Sequence, residues 1–296
     1  MDAQKNKAFF KTIRCFLLFL ILRLVEELVV VPKFANTMGL ISCVGGFFIL
    51  LGYIRFDDKP LEKIGVLFSG HKVHKGFGLA VVLNLIPMVV VYGLELFRFR
   101  SMPGSTHLTV YYDKIDHAYS VAGRSDFLMW LAIGLAVSLI HAVFYEMCFR
   151  GLLVTLASKS LSFGKVNAIQ TVLYTLWFLV PTARVLLTQF SQFAVRDLLI
   201  LVGFTVAYEI LTGIKLGLLR YSTGAVWVCI FDHLAFSYIT ELIHVQYSVG
   251  TASVTDAAYY VRMLGYQALS LLITLLYYAK KRKKIEAQKQ EALLRK

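Results

Sequence analysis

The sequence predicts an all-α fold: a multi-pass transmembrane bundle of about eight helices, with both termini in the cytoplasm. Three observations carry that prediction. The first is composition. A soluble domain is about 45–50% apolar and about 25% charged, whereas these 296 residues are 58% hydrophobic and 17% charged, with a mean hydropathy of +0.66. The second is spacing, because apolar blocks recur at roughly the 20-residue length a helix needs to cross a hydrocarbon core of about 30 Å. The third is the placement of the basic excess. The chain has 31 Lys and Arg against 18 Asp and Glu, and much of the excess lies at the termini and in the 55–76 connection.

The apolar blocks run over 8–31, 38–55, 77–98, 127–150, 164–183, 195–219, 222–246 and 258–279. The first holds Arg14, Arg23, Glu26 and Glu27 and is followed by no small-residue cleavage site, so it reads as a retained span and not as a signal peptide. The fifth stops at Pro181, where a helix loses a backbone donor. An even number of spans puts both ends on one side. The segment from Lys280 carries eight Lys or Arg against two Glu, and Lys5, Lys7, Lys11 and Arg14 crowd the N-terminus. Positive residues stay in the cytoplasm, which makes 280–296 a basic cytoplasmic tail and 1–296 a single membrane domain.

Two connections are long. Residues 55–76 read as a short amphipathic helix on the cytoplasmic face, and residues 99–126 as a polar outer loop holding His107, Asp113, Asp116 and His117. His and Asp in a loop can bind metal, but no ligand set of standard spacing exists, so these read as solvated residues and neither metal nor cofactor is expected. Gly213 and Gly217 form a small-xxx-small pair that allows close helix approach. The four cysteines, Cys15, Cys43, Cys148 and Cys229, lie in apolar runs without CxxC pairing and read as small buried hydrophobes. The basic excess is accounted for by topology and anionic lipid, so membrane lipid is an expected partner and nucleic acid is not.

Against this background two polar clusters stand out. Glu146 and Arg150 sit four residues apart in "HAVFYEMCFRGLL", on one helix face and within reach of each other. Ionisable groups at membrane depth cost several kcal/mol unless paired or facing a cavity. The pair is therefore either a structural ion pair, with Arg150 reaching toward the headgroups, or part of a site. The second cluster favours a site: His233, Ser237, Glu241 and His244 recur at steps of four, four and three, with Asp232 just off the stripe. Such a stripe lines a water-filled cavity. If the clusters meet, the chemistry they allow is hydrolysis, with a carboxylate as general base on water and an imidazole donating to the oxyanion. The sequence contains no nucleophile elbow and no HExxH.

At these residues the chain resembles the CPBP (Abi) family of intramembrane glutamate endopeptidases, which includes the type II CAAX prenyl protease and bacterial relatives tied to bacteriocin processing and self-immunity. The family's EExxxRG motif aligns with Tyr145-Glu146-Met147-Cys148-Phe149-Arg150-Gly151. Its FxxxH aligns with Tyr174-Thr175-Leu176-Trp177-Phe178, 28 residues after Arg150. Its HxxxN, behind a Gly-rich lead-in, aligns with His233 and Ser237 in "GIKLGLLRYSTGAVWVCIFDHLAFS". The likeness covers a core of about residues 128–245. It implies roles for Glu146, His233, Arg150, Tyr145 and Ser237 in the site, with His141 one turn before Tyr145 as a helper.

The departures fall on the chemistry. Where the family has its water-activating Glu this chain has Tyr145, and a phenol is a poor base near neutral pH. The second-motif His is Phe178 and the third-motif Asn is Ser237. Glu146 lies about 100° around the helix from position 145 and is expected to point away from the family's water site unless the helix rotates. Loss of one oxyanion donor costs about 10²–10³ in rate, and loss of the base costs more. The expected function is a scaffold, chaperone or regulator with a degenerate protease site, binding a membrane protein or peptide in its polar cavity. The alternatives are an active CAAX-type endopeptidase using Glu146 and His233, and a transporter. The compact helical core, short termini and basic tail suit a bacterial plasma membrane.

Overall fold

The computed structural model describes residues 2–33, 37, 39–55, 60–66, 70–110, 127–192, 194–249, 252–253 and 256–294. Each apolar block of the sequence carries a helix. Helix α1 spans Asp2–Val25 and continues through a π-helical stretch, Glu26–Val30, and a last turn, Val31–Lys33. Then come α2 (Leu40–Ile54), α3 (Gly70–Arg100) and α4 (Phe127–Tyr145), which continues through a second π stretch, Glu146–Leu153, into Val154–Ala157. The remaining helices are α5 (Phe163–Gln189), α6 (Val195–Thr223), α7 (Trp227–Leu242) and α8 (Asp256–Leu294).

Among the described residues four helical stretches are long and apolar enough to cross a membrane: Lys72–Arg100, Leu131–Ala157, Phe163–Thr188 and Val195–Thr223. Helix α2 is apolar but shorter. Outward faces are oily: Val81, Leu85, Val89 and Leu94 of α3 and Leu272 and Leu276 of α8 are exposed, as lipid-facing residues must be. The interior carries the polar groups. The chain is thus a multi-pass membrane protein whose helices contact lipid.

The structure departs from the sequence expectations in four places. A small antiparallel sheet joins β1 (Ser105–Val110), β2 (Ile243–Val249) and β3 (Ala252–Ser253) in the order β1-β2-β3, with Leu108 opposite Val245. The fold is therefore not wholly α-helical. The 222–246 block ends as helix at Leu242, because Ile243, Val245, Tyr247 and Val249 alternate with polar residues at the period of a strand. Helix α5 runs straight through Pro181 to Gln189, as membrane helices tolerate when neighbours absorb the lost bond. Among the described residues of the 55–76 connection, only Pro60–Lys63 is helical before α3 begins at Gly70. Asp113, Asp116 and His117 lie outside the described residues.

Helices α5 and α6 pack most intimately, through the predicted glycines. A Cβ on Gly213 would come within 2.8 Å of Thr171, and one on Gly217 would collide with the Asn167 side chain. Gln170 Nε2 uses that closeness to donate to the Gly213 carbonyl at 2.7 Å.

Candidate functional site

The site is built where α4 changes its winding. A π turn hydrogen-bonds i to i+5 and so widens the helix. In this chain it begins at Glu146, directly after Tyr145. Tyr145 projects into a cavity of about 390 Å³, whereas Glu146 does not line it and has no exposed surface. Glu146 Oε1 accepts from Arg150 Nη1 at 3.2 Å and lies 2.8 Å from His233 Nδ1 on α7. The Arg150 guanidinium sits 4.0 Å over the Tyr174 ring, a cation–π contact strengthened by the absence of water. The Arg150 carbonyl accepts from Arg220 Nε at 3.1 Å.

The cavity wall continues from Tyr145. His141, one turn earlier, stacks on its ring at 5.3 Å and 11°, Phe178 meets it edge-on at 5.1 Å, and the His233 ring lies 5.7 Å away. His141, Tyr145, Phe178, His233 and Ser237 all line the same cavity. The positions matched to the family's base, second-motif His and third-motif Asn are thus adjacent, but they present a phenol, a phenyl and a hydroxyl. The Ser237 hydroxyl is engaged with the Leu234 carbonyl at 3.4 Å. The predicted polar stripe holds for His233, Ser237 and Glu241 on α7; His244 is on β2, with Nε2 3.1 Å from the Glu241 carbonyl.

A second buried network sets α7 in place. Lys215 Nζ of α6 is 2.6 Å from Asp232 Oδ2, Asn84 Nδ2 of α3 donates to Asp232 Oδ1 at 3.0 Å, and Tyr266 of α8 donates to Asn84 Oδ1 at 3.0 Å. Three helices, α3, α6 and α8, thereby hold the α7 residue next to His233. A third cluster lines the same cavity through Arg23, Glu27 and Arg184. Glu27 Oε1 lies 3.1 Å from Arg23 Nη2 and its Oε2 accepts from Arg184 Nε at 2.8 Å, while Glu26 accepts from the backbone of Ile41 and Ser42 and from the Thr37 hydroxyl. The π stretch at Glu26–Val30 makes this possible, turning two consecutive glutamates inward.

Sequence reasoning missed Glu209, Lys215, Arg184 and Asn84. Asn84, Glu209 and Lys215 are polar or charged residues inside an apolar block and Arg184 stands at the edge of one, so the signal existed residue by residue. What was lacking was a periodic pattern to tie them together. Glu209 is the most informative of them: 5% exposed, it lines the cavity beside Tyr174 and Tyr208.

Taken as chemistry, the arrangement has an imidazole facing the cavity and a carboxylate behind it, but position 145 offers no base to a water in the cavity. No curated protein matches the chain. Residues 127–239 match the family model for the type II CAAX prenyl endopeptidase, Rce1-like. That match spans the helices that bring Tyr145, Glu146, Phe178, His233 and Ser237 together, and it supports the resemblance to the CPBP family over this part of the chain.

Proposed function

We propose that this protein is a catalytically degenerate CPBP member of a bacterial plasma membrane. It uses the cavity between α4, α5, α6 and α7 to bind a membrane-embedded peptide or partner helix and acts as a scaffold or regulator of that partner. One observation carries the reading: the retained acid, Glu146, is fully buried under His233 and Arg150 while a tyrosine occupies the cavity position beside it. A base must reach the proton it abstracts, and a carboxylate held by Arg150 and His233 behind the cavity wall acts as a packing element.

The cavity extends toward Arg184, Glu241 and Tyr259. These stand near the ends of α5 and α7 and the start of α8, at the opposite end of the bundle from Asp2 and the basic tail. With both termini cytoplasmic by the positive-inside bias, an occupant enters from the outer side. A prenylated C-terminus in the cytoplasm would approach from the wrong end.

A second reading has one observation in its favour. The 2.8 Å contact of Glu146 with His233 Nδ1 is a carboxylate–imidazole pair of the kind that orients a general base, so an endopeptidase working through His233 is the alternative. Purified protein in liposomes with a pool of bacterial membrane peptides separates the two. The scaffold reading expects no product, and Tyr145→Phe to leave the cellular phenotype unchanged. Product released by the wild type and lost in His233→Gln with unaltered folding would overturn it.

A further inference from the structure

We propose that Glu209 is the recognition residue of this cavity and that the group it takes up is a primary ammonium, the head of a lysine side chain on the bound segment. The proposal rests on the reading of the cavity as a binding pocket. The argument starts from charge pairing. Lys215 is paired with Asp232 at 2.6 Å, Arg184 with Glu27 at 2.8 Å, and His233 with Glu146 at 2.8 Å. Glu241 has contacts of its own.

Glu209 differs. Among the described residues it makes no ion pair or hydrogen bond, and its Oε2 is buried without a partner, although the residue is 5% exposed. An unpartnered carboxylate at membrane depth costs several kcal/mol. A cation entering the cavity removes that cost. Arg150 acts on Glu209 electrostatically, but its Nη1 is engaged by Glu146 at 3.2 Å and no hydrogen bond or ion pair joins it to Glu209.

The walls around Glu209 suit an ammonium. Tyr174, Phe204, Tyr208 and Phe236 line the same cavity, with Tyr208 5.6 Å from Phe204 and 5.7 Å from Phe236 between ring centroids. Aromatic faces attract a cation through their quadrupoles, most strongly where water is excluded. An acid without an ion pair, in a cavity walled by aromatics, therefore selects a compact cation on an apolar stem, and a lysine side chain is such a group. A guanidinium would ask for a bidentate partner with both oxygens accessible, whereas Oε2 is enclosed.

The test uses the full-length protein in detergent, an apolar carbodiimide that modifies carboxyl groups in apolar surroundings, and peptide mapping by mass spectrometry to locate the label. Expected is modification at Glu209, absent in Glu209→Gln, and suppressed by N,N-dimethyloctylamine, a protonated amine that cannot be acylated by the activated carboxyl, but not by n-octanol at the same concentration. Equal suppression by amine and alcohol, or by neither, overturns ammonium recognition while leaving an accessible cavity. Absence of any label at Glu209 in folded protein means the cavity is closed, and both this inference and the pocket reading fall. Because the label is mapped in the wild type, the outcome does not depend on the variant folding.

Discussion

Truncating Glu146 tests whether the retained acid is structural. In Glu146→Ala the Arg150 guanidinium, itself with no exposed surface, loses its 3.2 Å partner, and His233 Nδ1 loses its 2.8 Å contact. Removing one member of a buried ion pair costs about 3–5 kcal/mol, because the remaining charge is left uncompensated. Each kcal/mol is worth roughly 2–4 °C in a chain of this order of size, so the melting temperature should fall by about 10 °C. Thermal unfolding in detergent, followed by tryptophan fluorescence, reads this out, since Trp177 packs 6.0 Å from the Tyr145 ring. The double variant Glu146→Leu with Arg150→Met should recover most of the loss, because an apolar pair of similar volume avoids the desolvation cost. A Glu146→Ala protein melting within about 2 °C of the wild type would refute the reasoning. Glu146 would then be a tolerated charge with access to water, and the endopeptidase reading would gain.

Two further predictions concern packing and access. Gly217→Ala should destabilise the protein by about 1–3 kcal/mol through overpacking, because the added Cβ meets the side chains of Asn167 and Gln170; an unchanged thermal transition would show that α5 and α6 are not held at this distance. Ser237→Cys should react with a membrane-impermeant maleimide added to the outside of intact cells, against a low background because Cys15, Cys43, Cys148 and Cys229 are all buried. Labelling only after the cytoplasmic side is opened would reverse the direction of access.

The sequence was most readable where the signal is local. Hydropathy marked where the helices fall, because a lipid-facing surface must be apolar over a whole span, and among the described residues four of them are long and apolar enough to cross. The i, i+4 spacing brought Glu146 and Arg150 together because helix geometry alone does so. The strand at Ile243–Val249 was lost inside an apolar block: its branched and aromatic residues score as hydrophobic, and only their alternation separates strand from helix.

What the tertiary structure decided is which side chains share a space. No local pattern links Lys215 to Asp232, Glu27 to Arg184 or Asn84 to Tyr266, since each pair joins different helices whose relative rotation comes from packing. The phase at Tyr145 and Glu146 was likewise open in one dimension. Adjacent residues on a regular helix differ by about 100°, and it took the π winding from Glu146 together with the pull of His233 and Arg150 to put the phenol in the cavity and the carboxylate behind it. Hydropathy is a sum over single residues and is written in the chain. The pairing of buried charges depends on distances between helices, which exist only once the bundle has formed.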